Sequence, residues 1–265
     1  MTDDGGYLLD NRQAEAGRRF DALAALFNAS TFRHIEALGI APGWRCWEVG
    51  AGGPSVPSWL AGRVGPAGEV LATDIDVSWM PDGAGYTVRR HDVGAEPPPS
   101  TGFDLVHARL VLVHVPRRAE ALAAMVSALR PGGWLLLEEA DPALQPLACP
   151  DEYGPAQRLA NKVKHAFRAL MAQRGVDLAY GRTLPRLLRE AGLTDVEADA
   201  SFPVTGPACV RLEEATVRQI RDRLLAAGLA TTEEIDEHLA NLATGTLDVT
   251  TSPMVSAWGR RQHQT

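Results

Sequence analysis

The chain has 265 residues, 45% of them hydrophobic and 22% charged, a balance that supports an ordinary globular core. The formal net charge is −7, and the basic pairs Arg18-Arg19, Arg89-Arg90, Arg117-Arg118 and Arg260-Arg261 are scattered; this argues against a nucleic-acid partner, because phosphate binding needs a local cationic excess. Cys46, Cys149 and Cys209 are too widely spaced for a metal-ligand pattern or a disulfide framework, and no uncharged apolar run is long enough to span a bilayer.

The acidic start, Met1-Thr2-Asp3-Asp4-Gly5-Gly6, is unlike a secretory signal, so a cytoplasmic setting is expected, with no metal and no membrane. From about residue 12 to 38, Phe20, Leu23, Leu26, Phe27 and Ile35 fall at helical spacing, and Ala41-Pro42-Gly43 then turns the chain. Arg45–Val49 reads as a strand, followed by a glycine-rich turn and a short helix with Val56, Trp59 and Leu60. Further strands are expected at Glu69–Thr73, Tyr86–Val88 and Phe103–His107. A helix from about Arg117 to Leu129 carries Leu122, Met125 and Val126; Pro131-Gly132-Gly133 stops it, and Trp134–Glu138 is the next strand. Strands alternating with helices imply an α/β fold: a Rossmann-like, open, mostly parallel sheet with helices on both faces.

After Ala140 helices dominate. They are expected at about 157–173, with Phe167, Leu170 and Met171 on the apolar stripe, and at 183–191, 211–227 and 232–242, before a closing strand at Met254–Trp258. No linker precedes these inserted helices, so the whole of 1–265 reads as one domain. Its parts are an N-terminal helical segment to 40, a strand-rich core at 41–140, inserted helices with late strands at 141–250, and a closing strand and tail at 251–265.

The most informative stretch is Trp47-Glu48-Val49-Gly50-Ala51-Gly52-Gly53-Pro54-Ser55. A strand delivers a glycine-rich turn and a helix follows at once, at the sheet edge where open parallel sheets bind ligands. A dinucleotide fingerprint needs a third glycine where Ser55 stands, and the acid Glu48 is foreign to it. An acid followed by alternating glycines instead resembles class I S-adenosylmethionine-dependent methyltransferases, and more narrowly the small-molecule methyltransferases of bacterial secondary metabolism. Pro54 departs from the pattern, standing where many members carry the third glycine.

The resemblance runs on in order over roughly residues 45 to 140. It implies the cofactor S-adenosyl-L-methionine, with S-adenosyl-L-homocysteine as product, bound by Glu48, Gly50, Ala51 and Gly52. Asp74 matches the acid that holds both ribose hydroxyls, and Ile75 matches the apolar residue on the adenine face. Asp92 and Val93 match the position at the adenine edge, while Ala108 and Arg109 match the methionine side. Leu129-Arg130-Pro131-Gly132-Gly133 resembles the turn before the fifth strand. The resemblance further implies an N-terminal helical lid, on which Tyr7 could face the sulfonium, and a substrate lid built from 141–250.

His114 is the candidate general base, against the plainer reading of a packed histidine; His107 is weaker, placed within the fourth strand, and His165 faces either a pocket or solvent. Glu138, Glu139 and Asp141 read either as substrate contacts or as acids of a solvated loop. Phe167, Leu170 and Met171 either line the acceptor pocket or pack internally. The expected activity is methyl transfer to a small-molecule substrate at oxygen, nitrogen or carbon, mainly by positioning. The alternative is a methyltransferase-like protein that binds the cofactor without transferring methyl, such as a cyclase scaffold. The first helix reads as a lid or as a homodimer contact.

Overall fold

A computed structural model describes residues 14–81 and 85–262. Tyr7, proposed above to face the cofactor, lies outside the described residues. Contacts divide the described residues into two compact units, one of residues 27–81, 85–140, 180–201 and 254–262, the other of residues 14–26, 141–179 and 202–253.

The first unit is built on a seven-stranded sheet: β1 (Arg45–Val49), β2 (Glu69–Asp74), β3 (Thr87–Arg90), β4 (Phe103–Arg109), β5 (Leu129–Ala140), β6 (Leu193–Ser201) and β7 (Met254–Arg261). Their order across the sheet is β3-β2-β1-β4-β5-β7-β6. The first five strands run parallel, and β7 runs antiparallel to both β5 and β6. The strand order reverses between β1 and β4, so a crevice opens there beyond the carboxyl ends of the strands.

One face of this sheet is covered by the second half of α1 (Ala14–Ala37) and by α2 (Ser55–Val64). Ile35 packs there with Val56, Leu60 and Val64 onto Cys46, Val70, Leu105 and Leu136, and the rings of Phe32 and Trp59 stack with centroids 4.3 Å apart. Pro54 caps α2: the Ser58 amide donates to its carbonyl at 2.9 Å, and its missing N–H costs no helical bond. The helices α3 (Arg118–Ala128) and α5 (Leu184–Glu190) pack against the later strands.

Two expectations need correction. Leu129 already pairs with Phe103, so β5 begins before Pro131-Gly132-Gly133, and the register shifts between Phe103 and Leu105. Residues 180–201, read as part of the region of inserted helices and late strands, belong to the sheet unit, because β6 pairs with β7 from Leu193 to Ser201.

The second unit is helical: α4 (Pro155–Gln173), α6 (Pro207–Ala226) and α7 (Thr232–Ala243). Val163, Leu170 and Met171 of α4 pack with Val217, Ile220 and Leu224 of α6 and Ile235 and Leu239 of α7. A capping box starts α7, with the Glu234 amide donating to Thr231 Oγ1 and the Thr231 amide donating to the Glu234 carboxylate. None of the described helices is long and apolar enough to cross a membrane.

Candidate active site

Beyond Val49 the chain turns through Gly50 and Gly52, both at φ +62°. A Cβ on Gly50 would lie 2.4 Å from Val111 Cγ2, so only glycine lets β1 turn beside the chain that leaves β4. The Ala51 amide donates to the Thr73 carbonyl at 3.0 Å, and the Gly52 amide donates to Asp74 Oδ2 at 2.9 Å. The glycine turn is thereby fastened to the end of β2, and Glu48, Gly50, Gly52 and Asp74 are brought to one edge.

Asp74 is 6% exposed, and its other oxygen, Oδ1, accepts the Asp76 amide at 3.0 Å. Burial pushes its carboxyl above the ordinary aspartate range, while the amides of Asp76 and Gly52 pull the other way. A carboxylate offers about four acceptor positions. The backbone amides of Asp76, Gly52 and Ile75 do not exhaust that capacity, so the carboxylate can still accept from a ribose hydroxyl. Ile75 beside it is 53% exposed, an apolar side chain left uncovered at the carboxyl edge. Asp92 is exposed and turns its own loop, accepting the Gly94 amide at 2.8 Å, while Val93 is buried. Ala108 is buried within the sheet, opposite Val49 on one side and Leu137 on the other.

Glu48 is 2% exposed and begins a row of polar side chains that crosses the sheet beneath α1. Its Oε2 lies 2.6 Å from His107 Nδ1, and His107 Nε2 lies 3.2 Å from Glu138 Oε2. Glu138 Oε1 accepts the Ser256 hydroxyl at 2.7 Å, and Ser256 stands opposite Asp199 on β6. From above, Thr31 of α1 donates its hydroxyl to Glu138, and His34 Nε2 reaches Asp199 Oδ1 at 2.9 Å. Burial alone would lower the His107 pKa, yet the flanking Glu48 and Glu138 carboxylates raise it to about 9. Burial likewise opposes ionisation of Glu138, but His107 and His34 hold its carboxyl well below the usual range.

Arg109 turns its guanidinium to α1, donating to Thr31 Oγ1 and Asn28 Oδ1, each at 3.0 Å. Its side chain therefore holds the helix over the polar row. His114 ends a short 3-10 turn, Leu112–His114, directly after β4. The chain enters that turn through Leu110 at φ +58°, a left-handed conformation that costs a non-glycine residue of order 1–3 kcal/mol and needs support from its surroundings. That support comes from β5. The Leu110 amide donates to the Glu138 carbonyl at 2.8 Å, and the amides of Val111, Leu112 and Val113 all donate to Glu139 Oε1, at 3.1, 2.7 and 3.3 Å.

Glu138, Glu139 and Asp141 are thus 1%, 1% and 0% exposed, which overturns their reading as acids of a solvated loop. Two consecutive acids in a central strand point to opposite faces, so one meets α1 and the other meets the turn after β4. The polar row escaped the sequence reading because its members sit on strands that are neighbours only in space. A signal was available: Glu48 and His107 are register partners as soon as β1 is placed beside β4. Of the remaining candidates, His165 is exposed and accepts or donates only within α4, 2.8 Å from the Asn161 carbonyl. Leu170 and Met171 are core residues of the helical unit, and Phe167 is partly buried against that core.

The methyltransferase domain family matches this chain over residues 10–198. The chain is similar to the ubiquinone/menaquinone biosynthesis C-methyltransferase UbiE of Bordetella parapertussis, 33% identical over 143 residues that make up 49% of this chain and 55% of that protein. It is 30% identical to methyltransferase str2 of Strobilurus tenacellus over 167 residues, 59% of this chain and 56% of that one. The chain thus spans about half the length of these curated relatives. Among solved structures, the phosphoethanolamine N-methyltransferase 2 of Haemonchus contortus, in complex with phosphomonomethylethanolamine and S-adenosylhomocysteine, shares the fold. That match has a TM-score of 0.59 and 14% identity, and covers 99% of this chain and 61% of the other.

Proposed function

The chain belongs to the methyltransferase domain family, and we propose that it binds S-adenosylmethionine at the carboxyl edge of its sheet and methylates a small molecule. The observation that carries this reading is the fastening of the glycine turn to Asp74, which holds a two-acceptor carboxylate beside the turn with Ile75 exposed next to it.

Asp74 would hold the ribose hydroxyls with the acceptor capacity its backbone amides leave free. Ile75 would cover one adenine face, with Asp92 and the Val93 backbone at its edge. The turn Gly50-Ala51-Gly52 brings backbone close to the ligand without a Cβ in the way. When bound, S-adenosylmethionine supplies a methyl group already activated on a sulfonium, so the protein's task is to align the acceptor and exclude water. His114, at the end of the turn after β4, is the candidate to take a proton from a hydroxyl acceptor. Glu48 supports the site from inside the sheet, since its carboxylate is engaged by His107.

Incubation with S-adenosylmethionine and a panel of phenols, amines and quinol-type carbon acceptors tests the proposal. Formation of S-adenosylhomocysteine together with a product heavier by one methyl group is the expected result. A folded protein that binds the cofactor yet methylates no acceptor would favour the cyclase-like scaffold.

A further inference from the structure

We propose that Glu139 is a positioning residue of the cofactor site: through one carboxyl oxygen it sets the turn after β4, whose two valines wall the two glycine-bearing loops. This rests on the cofactor reading given above.

The geometry has three parts. First, Glu139 Oε1 gathers the amides of Val111, Leu112 and Val113, three consecutive donors on a single acceptor atom. Such a turn has few other ways to satisfy its N–H groups inside the protein, so the carboxyl decides where the turn lies. Second, the turn carries a valine at each end, and both press on a glycine. A Cβ at Gly50 would lie 2.4 Å from Val111 Cγ2, and a Cβ at Gly94 would lie 2.7 Å from Val115 Cγ1. Gly50 opens the turn after β1, and Gly94 follows Asp92 and Val93. A shift of the post-β4 turn therefore moves the walls at both ends of the candidate cofactor site together. Third, the other oxygen, Oε2, is buried without a hydrogen-bond partner.

The third part tells which protonation state does the work. A bare carboxylate oxygen buried without a partner is costly, whereas a neutral acid tolerates it better. Burial pushes the Glu139 carboxyl up to about 8, against the pull of the three amides and of Arg118. At neutral pH the residue is accordingly mostly a neutral acid, and glutamine has nearly the same shape and charge. Glutamine also keeps an acceptor oxygen for the three amides. Alanine keeps none.

The experiment is calorimetric titration of wild type, Glu139→Gln and Glu139→Ala with S-adenosylhomocysteine, beside hydrogen exchange of a peptide spanning residues 110–115. We expect Glu139→Ala to bind roughly tenfold or more weakly, from the loss of shared hydrogen bonds to buried amides, with faster exchange confined to that peptide. Glu139→Gln is expected to recover affinity to within about threefold of wild type. A folded Glu139→Ala protein with wild-type affinity overturns the inference, as does a Gln variant no better than Ala. If the Ala variant does not fold, Val111→Ala and Val115→Ala probe the same wall, and unchanged affinity in both overturns it. Failure of wild type to bind S-adenosylhomocysteine defeats the cofactor reading itself and is seen before any variant is measured.

Discussion

Both units bury charged side chains, but they assemble them differently. In the sheet unit the row Glu48–His107–Glu138–Ser256 draws one residue from each of four adjacent strands, and strand register places them. In the helical unit, three helices contribute one residue each: Lys164 of α4 lies 3.0 Å from Glu213 of α6, and His238 of α7 lies 3.7 Å from the same carboxylate. The first arrangement places a cation between two acids, and the second gathers two basic side chains on one acid. Consequently the sheet unit is sensitive at both ends, through Glu138 as pH falls and His107 as pH rises, whereas the helical cluster is sensitive at the acid end. The His107 pKa is raised by its carboxylates to about 9, so its contribution is complete below the ordinary value of 6.5 and is lost as pH rises through 9. The Glu213 pKa, held down to about 2 by Lys164 and His238 despite burial, marks a contribution complete above 4.5 and lost as pH falls through 2.

The largest effect that can break this comparison is expected from His107→Gln. It leaves Glu48 and Glu138 buried without their shared cation, and should cost about 4–5 kcal/mol in urea unfolding at pH 6. Lys164→Met leaves Glu213 one basic neighbour and should cost less, about 3 kcal/mol. Adding Glu213→Leu to Lys164→Met should restore much of that loss, because an apolar pair replaces an ionic one. If both single variants prove neutral, the two clusters hold nothing together and the comparison fails.

Next in size are the two pH limbs. Unfolding free energy should fall by about 3 kcal/mol between pH 6.5 and 9 on account of His107, at 1.36 kcal/mol per unit. A similar fall of about 3 kcal/mol is expected from pH 4.5 down to 2 on account of Glu213. Glu139 acts in an earlier window: its folded pKa of about 8 exceeds 4.5, so the folded state keeps a proton that the unfolded state releases, and stability declines from about pH 4.5 to 8. Glu139→Gln should flatten the curve there, and a slope unchanged by the substitution would contradict the assignment. The smallest effect is Thr231→Ala, which removes the α7 cap without touching any charge and should cost about 1 kcal/mol at every pH.

The same contrast explains what the amino-acid sequence discloses. The glycine turn, the acid ending β2 and the alternation of strands and helices are local features, and each could be read where it stands. β6 was expected only as an unplaced late strand: Val196, Ala198 and Ala200 do alternate with Asp195, Glu197 and Asp199, but two of these three are small alanines, and on this edge strand only Leu193 is buried. Glu139 looked like a loop acid because its three amide donors lie 26 to 28 residues earlier in the chain. Arg109 was matched to the cofactor by position along β4, whereas its guanidinium is taken by Asn28 and Thr31, a partnership visible only once α1 is laid on the sheet. Local chemistry was legible; chemistry assembled by strand order was not.

The most direct test of the account is calorimetric titration of the whole chain with S-adenosylhomocysteine, run beside Asp74→Ala and with NAD as a control ligand. We expect micromolar binding by the wild-type protein, a loss of about a hundredfold or more in the variant, which gives up the charge-assisted hydrogen bonds of its carboxylate, and no binding of NAD. Equal affinity in the variant, or no binding by a well-folded wild-type protein, would contradict it.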